Sequence, residues 1–187
     1  MKRLSIILSL LILTSQMISC SAPGHTPKEK RKWVDSMSHS VLIKLYKLKP
    51  YLKSQIKEAA GYAVFSTANV NLIVLSASGG YGKVVDNKNH KTTYMKMAAA
   101  GLGIGAGVKD FKAVFIFHHE KTLNRFVNEG WEFGAQADAA AKAGEKGGAV
   151  QGEVVINDIS IYQLTESGLA LQATVQGTRY WKDDALN

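Results

Sequence analysis

Four glycines at alternate positions, Gly101, Gly103, Gly105 and Gly107, constrain the fold of this chain more than any other feature. Successive side chains of a strand point to opposite faces, so all four glycines fall on one face. A face without side chains lets another backbone or a large ring approach closely, or lets the strand bend sharply. Leu102, Ile104 and Val108 occupy the opposite face, with Ala106 between them. Lys109-Asp110 reads as a turn, and residues 113–117 (Ala-Val-Phe-Ile-Phe) as a buried strand. This hairpin is a scaffold for a curved sheet and carries no reactive group.

Around it the hydrophobic periods change in order. Thr26 is placed to cap a helix, Pro27 suits the first helical position, and Glu29 completes a capping box. That helix should run to about Lys49, because Pro50 cannot continue it. Trp33, Val34, Met37, Val41, Leu45 and Leu48 share a stripe at helical spacing. Leu42, Ile43 and Tyr46 form a second apolar area. Pro50 opens a short second helix through Ala60, with Leu52 and Ile56 on one face and Gly61 as its stop.

Strands are expected at 62–65, 71–77, 81–85 and 92–98, with a turn at Ser78-Gly79-Gly80 and a polar hairpin loop at 86–90. A helix over 120–128 turns Leu123, Phe126 and Val127 inward and ends at Gly130. Residues 131–141 alternate as a strand, 142–152 read as a loop, and further strands follow at 154–156, 159–164 and 169–176. Tyr180-Trp181 anchors the end. The sum is an α+β domain: N-terminal amphipathic helices, then a largely antiparallel, strongly curved sheet of about eight strands, barrel- or sandwich-like, with one inserted helix.

The 187 residues divide into a leader and one domain. Lys2 and Arg3 precede an apolar run over 4–13, too short for a comfortable bilayer span. Cys20, the single cysteine, stands where cleavage would occur. The pattern resembles a bacterial lipoprotein signal: 1–19 signal peptide, 20–26 tether lipidated at Cys20 with palmitate-type chains, 27–187 folded domain. Ser21 after the cysteine implies, by the same resemblance, an outer-membrane address facing the periplasm.

The charge lies beside that tether. Residues 26–58 hold nine basic residues, Lys28, Lys30, Arg31, Lys32, Lys44, Lys47, Lys49, Lys53 and Lys57, against three acidic ones, a net +6. Residues 59–187 hold 12 of each sign. A basic segment next to a membrane attracts anionic lipid by about 1 kcal/mol per residue near the surface. Nucleic acid attracts the same charges, but a tethered envelope protein seldom meets it, so it is not an expected partner.

No catalytic constellation accompanies this charge. Gly101-x-Gly103-x-x-Ala106 matches a dinucleotide fingerprint in form only, because a strand and a turn follow where a helix is required. His118 and His119 are adjacent, so a strand points them to opposite faces, which ill suits one metal. One cysteine makes no thiolate cluster. No Gly-x-Ser-x-Gly elbow is present. Asp138 and Glu153 are carboxylates without a spacing that demands acid–base work. We expect no enzyme, no cofactor and no metal.

Several motifs recur in a fixed order: Gly61-Tyr62-Ala63-Val64-Phe65, Gly79-Gly80-Tyr81-Gly82, the alternating glycines with Asp110, and Trp131-Glu132-Phe133-Gly134-Ala135-Gln136-Ala137. Ile161-Tyr162, Gly168-Leu169 and Gly177 follow. Over about residues 28–183 the chain resembles the SYLF, or Ysc84, family in its bacterial lipoprotein branch. Ser66 departs from the proline common after Val-Phe in that family. The resemblance implies lipid binding through a basic amphipathic N-terminal helix, and it transfers that role to the nine basic residues of 26–58. The actin binding of some eukaryotic relatives has no matching motif here. The expected function is a lipid-anchored envelope protein binding anionic phospholipid. Two other readings stay open: a carrier for an apolar ligand inside the curved sheet, and a structural envelope protein acting through protein contacts.

Overall fold

The computed structural model describes residues 22–71, 75–102, 112–133, 153–165, 168–170 and 178–187. Its elements run α1 (Pro27–Leu48), α2 (Leu52–Glu58), β1 (Gly61–Asn71), β2 (Leu75–Asp86), β3 (Thr92–Leu102) and β4 (Lys112–Phe117). Then come α3 (Glu120–Glu129), β5 (Trp131–Phe133), β6 (Glu153–Ile156), β7 (Ile159–Thr165), β8 (Gly168–Ala170) and β9 (Thr178–Lys182). All strand pairs are antiparallel, in the order β5-β9-β3-β2-β1-β4-β7-β6, with β8 added to β7. The sheet curls into a half-barrel, so the α+β class and the curved antiparallel sheet expected above are found.

Both faces of the sheet are covered, and this explains the unbroken apolar run of β4. Ala113, Phe115 and Phe117 face the concave side and Val114 and Ile116 the convex one, all buried. On the concave side α3 inserts Leu123 and Phe126 among Phe65, Phe115, Phe117, Trp131 and Tyr180. Ring centroids there lie 4.7 Å apart for Phe65–Tyr180, 5.0 Å for Phe117–Phe126 and 5.3 Å for Phe115–Tyr180. Such edge-on pairs add to the area they bury. On the convex side α1 and α2 bury Val34, Met37, Val41, Leu45, Leu52 and Ile56 against Val64, Tyr81, Tyr162 and Leu164.

Three expectations are corrected. The proposed turn at Ser78-Gly79-Gly80 is the middle of β2, with Gly79 paired to Ala68 and to Ala98. A Cβ on Gly82 would strike the Val64 carbonyl and sit 2.5 Å from Cδ1 of Phe65. These glycines leave room for the concave ring cluster. Gly61 is not the stop of α2 but the first residue of β1, paired to both Asp86 and Phe117. A Cβ there would meet Leu123 of α3. β3 also runs on past 98 into Gly101 and Leu102. The rest of the glycine alternation, 103–111, the remainder of the expected strand, 134–141, and the loop 142–152 lie outside the described residues, as do 171–177.

The helix signals are realised closely. Thr26 Oγ1 accepts from the Glu29 amide at 3.2 Å, and Glu29 Oε2 accepts from the Thr26 amide at 3.3 Å. α1 ends at Leu48, two residues before Pro50. α3 ends on Gly130, whose φ of 75° is the left-handed conformation glycine permits. Asn157 and Asp158, at φ 49° and 62°, form the two-residue hairpin between β6 and β7.

Candidate functional site

The basic helices are the site that the sequence singles out, and the fold decides which of their charges face outward. α1 presses the face carrying Val34, Met37, Val41 and Leu45 onto the sheet. Polar bonds hold it there. Asp35 accepts from Lys83 Nζ of β2 at 2.8 Å, and from the Tyr94 hydroxyl of β3 at 3.1 and 3.3 Å. Arg31 Nη1 donates to the Leu186 carbonyl at 3.2 Å. Burial, then the Asp35 charge and hydrogen bond, push the Tyr94 phenol up to about 12. Trp33 rests edge-on against Tyr81, with ring centroids 4.9 Å apart.

With that face docked, Lys28, Lys32 and Lys47 of α1 are exposed, as are Lys53 and Lys57 of α2. Lys30, Arg31 and Lys44 are half-buried. Lys49 is different: it is 8% exposed. Its Nζ donates to the Tyr51 hydroxyl at 3.3 Å and lies 5.6 and 6.0 Å from the ring centroids of Tyr51 and Tyr162. Cation–π attraction fits those distances. The nine cations therefore do not form one surface. Five are exposed on the helices, and two, Arg31 and Lys49, are engaged in holding the helices in place.

The second apolar area of α1 is divided in the same way. Leu42 and Tyr46 pack partly against the convex core, and Ile43 stays 42% exposed. Leu48, expected in the core stripe, is 45% exposed, because the helix ends there and the stripe overhangs the sheet. Tyr51, which no sequence pattern marked, is 53% exposed. Ala22, expected in the tether, is 2% exposed and belongs to the convex core. Gly24, at φ 128°, lets the chain fold back so that its Cα lies against Glu29 in the first turn of α1.

Other polar groups serve the fold. His118 Nε2 lies 2.8 Å from Ser160 Oγ, but Ser160 is buried, so the pair ties β4 to β7. Lys96 meets the buried Asp183 at 3.0 Å and fixes the C-terminal residues to β3. Among the described residues no three His, Cys, Asp or Glu side chains gather as a metal site. No helix among them is long and apolar enough to cross a membrane. Cys20 lies outside the described residues.

Residues 98–187 match the family model described as Ysc84, Las17-binding protein actin regulator. The match begins near the end of β3, so α1 and α2 lie outside it. A curated relative, Beta cell expansion factor A of Aeromonas veronii, is 35% identical over 161 residues, 86% of this chain. The chain spans 60% of that relative's length. Neither description is that of an enzyme. The motifs along the chain, the matched segment 98–187 and this relative all point to similarity with the Ysc84, or SYLF, family.

Proposed function

We propose that this protein is a lipid-anchored envelope protein, tethered at Cys20 to the outer membrane and facing the periplasm, that binds anionic phospholipid through α1 and α2. One observation carries the reading. Five lysines, Lys28, Lys32, Lys47, Lys53 and Lys57, are exposed on two neighbouring helices, while residues 59–187 are electrically neutral. A surface of that kind gains about 1 kcal/mol per cation close to an anionic bilayer. The described concave side is filled by α3 and aromatic rings, which favours this reading over a carrier of apolar cargo.

Vesicle co-sedimentation tests it. The described fold begins at Ala22, so a chain starting at Ser21 contains all of it. That chain is expected to bind phosphatidylglycerol-containing vesicles and to lose binding as salt rises. Replacing Lys28, Lys32 and Lys47 by Glu should weaken binding by at least tenfold. Equal binding to neutral and anionic vesicles, indifferent to salt, would overturn the proposal. Mass spectrometry of protein extracted from cells tests the tether: acyl mass on Cys20, absent in Cys20→Ser, is the expected result.

A further inference from the structure

Leu48, the last residue of α1, and the three residues that join it to α2 turn the usual arrangement inside out. Lys49 is buried between aromatic rings, while its apolar neighbours Leu48 and Tyr51 stand 45% and 53% exposed. Pro50 fixes the bend between them. Lys47 and Lys53, both exposed, flank the bend. Within residues 44–58 there are five lysines and one acidic residue, Glu58.

We propose that this elbow is a membrane-insertion point, with Leu48 and Tyr51 entering the boundary between headgroups and acyl chains of an anionic bilayer. The inference rests on the membrane reading above and adds a depth and an orientation to it. Apolar side chains ringed by cations match such a boundary, because the rings and methyls leave water while the ammonium groups stay among phosphates. Lys49 holds the Tyr51 hydroxyl, so the ring is already oriented before it meets lipid.

The far end of α1 supplies the second contact. Ala22 is buried in the convex core, and one residue, Ser21, separates it from Cys20, a reach of at most about 7 Å. The 22 residues of α1 span about 33 Å. A tether at one end and an elbow at the other hold both ends of α1 at the bilayer, with Leu48 entering where its stripe overhangs the sheet.

The test uses the chain starting at Ser21 and vesicles of phosphatidylglycerol and phosphatidylcholine, with Leu48→Gln and Tyr51→Gln variants. Each variant should weaken binding about tenfold and keep the salt dependence; Leu48→Gln, at an exposed side chain, should also keep the melting temperature, whereas Tyr51→Gln takes a partner from the buried Lys49 and should lower it. A bimane label at Leu48→Cys should be quenched by bromines on the acyl chains, and one at Asn124→Cys, exposed on α3 across the sheet, should not. If the parent chain binds anionic vesicles and the glutamine variants bind equally well, the elbow is overturned and the membrane reading stands. If the parent chain binds no vesicles, both fall. A lipid-free dimer that Leu48→Gln dissociates would also overturn the elbow, in favour of contact with a second copy.

Discussion

Ser38 lies on the docked face of α1, 1% exposed, and its hydroxyl has no hydrogen-bond partner. A buried polar atom without a partner costs about 1–3 kcal/mol, and alanine is the better helix former. Ser38→Ala should therefore stabilise the protein by about 1 kcal/mol, read from urea unfolding. Tyr94 makes a second prediction, this time in pH. Its phenol is raised to about 12 from the ordinary 10, so the folded state holds a proton that the unfolded state releases. The stability this contributes is complete below pH 10 and is lost as the pH climbs from 10 through 12. The free energy of unfolding measured over that window should fall less steeply for Tyr94→Phe. Neither residue was legible beforehand. A serine inside an apolar helix looks like any other serine, and the Asp35–Tyr94 contact joins positions 59 residues apart. Cations were legible as a group and not as individuals. Nothing in the spacing of Lys49 separates it from Lys47, yet the helix end turns one inward and leaves the other exposed.

At the scale of elements, signals that act within one turn of chain were readable. Thr26, Pro27 and Glu29 marked the start of α1, Pro50 its end, and Gly130 the end of α3, because each acts on backbone groups a few residues away. Glycines in β2 misled for the opposite reason. Gly79-Gly80 has the composition of a turn, but in β2 Gly80 clears space for Met97 of the neighbouring strand, as Gly82 does for Phe65. Only the pairing reveals that. Gly82→Ala puts this to the test. The new methyl would strike the Val64 carbonyl and the Phe65 ring, and overpacking of this kind costs about 1–3 kcal/mol. Thermal melting should drop accordingly, although alanine is the better strand residue by propensity.

Across the whole molecule, the sheet is a partition between two cores, one sealed by α3 and one by α1 with α2. Phe126 touches the rings of Phe65, Phe115, Phe117, Trp131 and Tyr180. Phe126→Ala should cost about 3–5 kcal/mol in denaturant titration, while the exposed lysines of the other side keep their arrangement. The α+β class and the antiparallel sheet were legible because strand periods are local. The docking of α1 was legible only as a stripe, since its partners come from separate strands, β1, β2 and β3 among them. Tyr180, on β9, closes the concave cluster 115 positions along the chain from Phe65. A chain emerging from the ribosome, or threading through any narrow pore, must therefore hold Phe65 and its fellows unsatisfied until β9 is out. Its folding is timed by that strand, and a version stopped short of Thr178 should be food for proteases.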